Sequence, residues 1–469
     1  MAKSAAATAA VVRSPARSAI KKVVKRRLEN GLTIVLREMH ASPVTSFCVW
    51  YRVGSRDEHL GITGASHWVE HMMFKGTQRF DETELDRLVS REGGARNAFT
   101  WIDFTCYYET MPADRIALAV DLEADRMANS RFAPREVESE RTVILNEREM
   151  YENSPGFRLN EEMQAAAFRV HPYGHEVIGH VTDLKGMSRD DLFAHYRRHY
   201  TPDNAVVSVA GDFVTKEMLA LIEKHFGRLK PAKPAKPAKS AKSTKGRKSA
   251  PRRIEEPAQR GERRVVVRGE GETHYLSLAF HAPAATDSDY MALVALDSVL
   301  CGASGLSFFG GGTSNRSSRL SRALVDGGIA ADIGGGVVPT IDPFLYSIGG
   351  TLLPGRRIEE MEDAIWAEIE RVRTEPVDAA ELEKALKQTR AQVAFSTETV
   401  TNQAFWLGFA EIIGDQSWFD QFLDRLARIT PADVLAAAQR YLSRDNVTVG
   451  TYLGNGSATT DAADASLEE

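Results

Sequence analysis

Residues 230–253, KPAKPAKPAKSAKSTKGRKSAPRR, carry ten Lys/Arg, no acid and no large apolar side chain. Such a stretch repels itself and has nothing to bury, so it reads as an extended linker rather than part of a core. It divides the 469-residue chain into two blocks, 28–229 and 254–454, each of ordinary domain size. The blocks resemble each other. At a constant offset of 242, Asp191 matches Asp433, Ala194 matches Ala436, Arg198 matches Arg440, and Asp203-Asn204 matches Asp445-Asn446. Each copy reads as an amphipathic helix, a D-N turn and a β-branched strand, and an internal duplication explains both.

Within the first block, Leu32–Met39 and Thr45–Val53 have the β-branched and aromatic content of paired strands. The pattern predicts a helix over Ser66–Phe74, a strand over Phe104–Pro112, and a long helix over Ala133–Tyr151 with Pro134 in its first turn. Strand runs followed by helix runs point to an α+β fold: two homologous domains, each an antiparallel or mixed sheet covered by helices. Residues 1–27 hold no acid and read as a basic disordered segment, a composition shared by organellar transit peptides and basic bacterial tails. Residues 455–469 read as a frayed acidic tail.

The formal net charge of −5 conceals an uneven distribution. Outside residues 1–28 and 230–253, 41 basic side chains face 64 acidic ones, leaving that part at −23. A nucleic-acid binder keeps its positive charge on a folded face, so that class is excluded. An acidic body instead attracts cationic ligands. No stretch approaches the ~18 apolar residues of a membrane span. The three cysteines form neither a disulfide framework nor a zinc ribbon. These features fit a bacterial cytoplasm, and are compatible with a mitochondrial matrix or a periplasm.

The sharpest chemical signal is His67-Trp68-Val69-Glu70-His71. At about 100° per residue, positions 67, 70 and 71 share one side of a helix. Two imidazoles four residues apart can share one Zn²⁺, and a carboxylate between them can take a proton from water. The order is H-x-x-E-H, the inverse of the commoner H-E-x-x-H. A catalytic zinc site wants a third protein ligand and an open fourth position. In the 133–151 helix, Glu140 and Glu147 stand two turns apart on one face, while Glu138 and Glu149 point away. Glu136 shares the favoured phase, so periodicity leaves the ligand open. His195 and His199 form a second pair four apart, but Arg197 and Arg198 between them oppose a dication.

His67–His71 followed by MMFKGT, together with ESERTVILNEREM over 138–150, resembles the pitrilysin family of inverted-zincin metallopeptidases, and in it the beta subunit of mitochondrial processing peptidase and its bacterial relatives. RRLENGLTIVLRE (26–38), YRVGSRDE (51–58) and GGARNAFTWIDFTCYYE (93–109) match the same pattern, and the likeness runs from Arg26 to Gly454 around the basic linker. The resemblance implies one Zn²⁺ per chain held by His67, His71 and Glu147, with Glu70 as general base and Glu140 as an accessory catalytic residue. It further implies that Asn97 and Ala98, in RNAFT, lie on an edge strand that aligns a peptide substrate through main-chain hydrogen bonds.

Residues 295–335 match the family's glycine-rich loop and S-R-L helix, and the loop lacks the G-K-[ST] ending of a phosphate cradle. One departure bears on function. Single-chain relatives and some second subunits place an Arg and a Tyr seven apart just after this helix, to help hold the substrate carbonyl. The matching stretch 324–332, LVDGGIAAD, contains neither. At 469 residues the chain is about half of a single-chain, four-domain clamshell of the resembled type. The expectation is a zinc metalloendopeptidase subunit that closes on a homologous partner supplying the Arg and Tyr. Two other readings are an organellar presequence-processing beta subunit and a non-catalytic core-type assembly subunit.

Overall fold

The computed structural model describes residues 22–232, 254–303 and 316–456. Residues 233–253 of the basic linker, most of the N-terminal basic segment, the glycine-rich stretch 304–315 and residues 457–469 lie outside the described residues.

The first block contributes β1 (Val24–Arg27), β2 (Thr33–Glu38), β3 (Val44–Tyr51), α1 (Ala65–Met72), α2 (Glu82–Arg91), β4 (Ala95–Thr100) and β5 (Thr105–Pro112). There follow α3 (Ile116–Asn129), α4 (Pro134–Glu152), α5 (Pro155–Ala167), α6 (Val181–Gly186), α7 (Arg189–His199), β6 (Ala205–Gly211) and α8 (Thr215–Phe226). The second block contributes β7 (Arg263–Gly269), β8 (Tyr275–Ala282), α9 (Tyr290–Leu300), β9 (Ala330–Val337), β10 (Phe344–Leu352) and α10 (Ile358–Thr374). It ends with α11 (Ala379–Ser396), α12 (Val400–Ile413), α13 (Gln416–Asp420), α14 (Phe422–Leu426), α15 (Pro431–Tyr441) and β11 (Val447–Gly454).

The strands form two mixed sheets, ordered β1-β2-β6-β3-β5-β4 and β7-β11-β8-β10-β9. In each sheet one pair is parallel, β2 with β6 and β7 with β11, and the other pairings are antiparallel. Leaving out β1, the two sheets have the same order and directions. The duplication extends to single hydrogen bonds. Ser188 and Asp191 form a capping box on α7, and Thr430 and Asp433 form the same box on α15. Asn204 donates to the carbonyls of His199 and Arg52 at 2.9 and 3.2 Å, and Asn446 to those of Tyr441 and His281 at 2.8 and 3.0 Å.

Two departures from the sequence reading appear at the termini. Val24–Arg27, assigned above to the disordered segment, pairs antiparallel with β2 from Val24–Leu36 to Arg27–Thr33. Its three consecutive basic side chains, all exposed, suit an edge strand. Asn455 and Gly456 are held too, donating to the carbonyls of Gly269 and Gly271 at 2.8 and 2.9 Å.

The period-two alternation of β2, β3 and β6 sorts their side chains between two cores. Ile34, Leu36, Phe47, Val49, Tyr51 and Val207 face the core built with α1, α3, α7 and α8. Val35, Cys48, Trp50 and Val206 face the opposite way, against residues of the second block. That opposite face is closed by α12, while α5 of the first block lies on β7 and β11 of the second sheet. The blocks therefore exchange a helix, and the two exchanged helices stand at nearly the duplication offset. Trp50, fully buried, sits 4.9 Å from the Phe405 ring and donates to Ser208 Oγ at 2.9 Å. Gly408 of α12 lies against that indole so closely that a Cβ would stand 2.0 Å from its Nε1. Gly408→Val is expected to lower the unfolding free energy by roughly 3 kcal/mol through overpacking, read as a lower urea midpoint. An unchanged midpoint would mean that α12 does not approach β3 this closely. No described helix is long and apolar enough to cross a membrane.

Candidate metal centre

Helix α1 starts at Gly64, whose φ of 88° and approach to the Ile178 carbonyl (2.4 Å from where a Cβ would stand) both demand glycine. Its free amides are met by a buried carboxylate: Glu58 accepts from Gly64 N at 2.8 Å and Ser66 N at 2.7 Å. A negative charge there also suits the helix dipole. His175 Nε2 lies 3.2 Å from Glu58, so the turn over residues 171–175 serves the start of this helix. Trp68, Val69 and Met72 are buried, with the Arg141 guanidinium 4.7 Å over the Trp68 ring. That packing fixes the rotation of α1 and leaves His67, Glu70 and His71, only partly exposed, on the side shared with α4 and β4.

One donor atom from each of His67, His71 and Glu147 lies within 4.8 Å of the others, the only such group of His, Cys, Asp or Glu among the described residues. Glu147 Oε2 stands 3.7 Å from His67 Nε2 and 3.6 Å from His71 Nε2. Donors around a tetrahedral zinc, with bonds near 2.1 Å, stand about 3.4 Å apart, so this donor set fits the ion in kind and in spacing. Behind His71 runs a chain of charges. His71 Nδ1 lies 3.0 Å from Glu140 Oε2, and Lys75 Nζ is 2.6 Å from Glu140 Oε1 and 2.7 Å from Glu82. His67 Nδ1, by contrast, is buried with no partner among the described residues.

Burial and the nearby His71 push the His67 pKa down to about 3, so its imidazole is neutral, the form that binds a metal. Burial opposes charge on His71 too, but the Glu140 hydrogen bond and the surrounding carboxylates outweigh it and raise its pKa. Glu140 is itself held low: burial acts upward, and the bonds from His71 and Lys75 overcome it. Burial raises Glu70 to about 7 against a 2.6 Å hydrogen bond from Thr100 Oγ1. A carboxyl in that range can both take and return a proton at neutral pH. Tyr151 Oη donates to Glu147 Oε1 at 3.0 Å, and burial with that carboxylate raises the phenol to about 12.

The sequence-predicted residues divide by position. His67, Glu70, His71, Glu140 and Glu147 come together. Glu136 shares the helical phase but takes no part in the cluster, since eleven residues of α-helix separate it from Glu147 by about 16 Å. Strand β4 is an edge strand whose one partner among the described residues is β5. Asn97 is exposed and its carboxamide accepts from Ala98 N at 2.8 Å, while the Ala98 side chain is buried in the core beside α1. What Ala98 can offer a ligand is therefore backbone. His195 is turned inward, 3.1 Å from Ser66 Oγ, and burial pushes its pKa down to about 3; this pair is structural. Sequence reasoning passed over Thr100, Lys75 and Tyr151. Only Tyr151, one turn beyond Glu147, carried a local signal.

Comparisons with known proteins identify the family. Residues 33–181 match the family described as insulinase (peptidase family M16), and residues 186–389 match the peptidase M16 inactive domain. His67, Glu70, His71, Glu140 and Glu147 all fall in the first match. An uncharacterized zinc protease of Mycobacterium leprae is 31% identical over 425 residues, covering 90% of this chain and 90% of the relative. A probable mitochondrial-processing peptidase subunit beta of Schizosaccharomyces pombe is 26% identical over 441 residues, covering 94% and 93%. The crystal structure of a protease from Helicobacter pylori superposes with a TM-score of 0.83 at 26% identity, covering 92% of this chain and 100% of that one. The duplicated α+β fold, the inverted H-x-x-E-H helix and these likenesses converge: this chain belongs to the M16 family of zinc peptidases.

Proposed function

We propose that the chain is the zinc-bearing subunit of a metalloendopeptidase, with one Zn²⁺ held by His67, His71 and Glu147. The observation that carries this reading is the convergence of their three donor atoms within 4.8 Å, beside a carboxyl that no ligand role requires. When bound, zinc supplies a Lewis acid that polarises a scissile carbonyl and acidifies water. The residues do the rest. Glu70 takes the proton of the attacking water and returns it to the leaving amine, and Thr100 fixes its carboxyl for both transfers. Glu140 accepts the Nδ1 proton of His71, setting the tautomer that leaves Nε2 free, and Lys75 holds Glu140 in place. The open edge of β4, at Asn97 and Ala98, aligns the peptide as an added strand.

The chamber is completed by a homologous partner, because residues 324–332 offer no Arg or Tyr to the substrate carbonyl. The solvent face of α4 supports closure: Val143, Met150 and Tyr151, all exposed, flank Glu147 within one turn on either side. Apolar side chains left beside a metal centre suit a face that another surface or a peptide covers. A presequence-processing beta subunit is a narrower form of this reading, supported by the name of the S. pombe relative. A non-catalytic assembly subunit draws support from the inactive-domain match over residues 186–389, which begins beyond every residue of the metal centre.

Metal analysis of the purified full chain tests the proposal. One zinc per chain is expected, falling to near zero in His67→Ala, His71→Ala and Glu147→Ala. Zinc retained in all three variants would overturn the ligand assignment.

A further inference from the structure

Glu147 has two carboxylate oxygens and they are used differently. Oε2 faces the Nε2 atoms of both histidines, whereas Oε1 accepts the Tyr151 phenol at 3.0 Å. The phenol is not there by chance of rotamer. Its ring stacks on Phe157 of α5, with centroids 5.4 Å apart and planes at 23°. That platform is fixed as well: the Arg148 guanidinium lies 5.1 Å from the Phe157 ring centroid, and it is paired with Glu152 at 2.9 Å and Glu161 at 2.6 Å. Tyr151 thus has a defined position although its ring is partly exposed.

A carboxylate free to turn can give a dication both oxygens, filling the fifth position into which a four-coordinate hydrolytic site expands during reaction. One whose second oxygen is bound by a hydroxyl gives a single oxygen, and such partners of ligating carboxylates tune a metal site. We propose that Tyr151 is a positioning residue that holds Glu147 to one-oxygen ligation and so keeps that fifth position free for substrate. The inference rests on the zinc reading above and deepens it.

The test is Tyr151→Phe in the full chain, which removes one hydroxyl and keeps the ring on Phe157. Zinc-edge X-ray absorption and the visible spectrum of the cobalt(II)-substituted protein report coordination number without a partner or a substrate. The variant should still hold one zinc per chain, with affinity equal to or above that of the wild type. Its first-shell count should rise by about one, and its cobalt bands should weaken as tetrahedral geometry is lost. In whichever assembly turns over peptide, kcat should fall by about 10- to 100-fold with KM unchanged. An unchanged coordination number overturns the inference, whether zinc affinity stays the same or falls; a fall alone would show that the phenol merely steadies the ligand. Failure of the zinc reading itself would show separately, as a wild-type chain that binds no zinc at all.

Discussion

Replacing Glu70 by glutamine is expected to leave one zinc per chain and to lower kcat for peptide hydrolysis by about 10³-fold or more, within or beyond the range of a lost general base. Glutamine keeps the shape of the side chain and an oxygen for the 2.6 Å hydrogen bond from Thr100, so α1 and β4 keep their contact. His67, His71 and Glu147 are untouched, and zinc should stay. What disappears is the carboxyl proposed to take a proton from water. Metal analysis and single-turnover assays on the same preparation separate the outcomes. Loss of zinc would reassign Glu70 as a ligand, and retained activity would move the base elsewhere.

The second large effect concerns assembly. The pure chain is expected to bind zinc yet cleave peptides slowly, and a homologue bearing the Arg/Tyr pair should raise the rate by about 10²–10³-fold, the size of a lost oxyanion donor. The reason is the stretch 324–332. It forms the end of a π-helical turn (Ser321–Asp326) and the start of edge strand β9, and none of its side chains can donate to a developing oxyanion. A second copy of the same chain would close the chamber but bring the same deficiency. Mixing experiments with the partner carrying Arg→Ala or Tyr→Phe should return the rate to that of the chain alone. Full activity of a highly purified homodimer would sink the heterodimer.

Much of the site was legible in the sequence, for a specific reason. The relations among His67, Glu70 and His71, and between Glu140 and Glu147, are local, and helical arithmetic over one or two turns is accurate. The same holds for the duplicated D-N turns, whose bonds to the His199 and Tyr441 carbonyls span five residues. The sequence also carried the strand and helix order that made two helix-covered sheets, antiparallel or mixed, the expectation, because binary pattern and turn chemistry act over short windows. It placed Asn97 and Ala98 on an edge strand only through family resemblance, since an edge is a property of sheet order and not of any one strand.

The rest was decided by tertiary structure. Glu136 and Glu147 are indistinguishable in phase; which of them meets the histidines depends on where along its axis α4 crosses α1. Thr100 reaches Glu70 across thirty residues, and Arg52 receives the Asn204 bond across 152. No periodicity encodes such pairs, because they exist only after the sheet has stacked its strands. The exchange of α5 and α12 between the blocks is the largest case. Each helix has an apolar surface that sequence can identify, but nothing local says which of two related sheets it will cover. Trp50 and Gly408 make that choice physical: an indole on β3 needs a neighbour without a side chain, and the glycine that fits it lies in the other half of the chain.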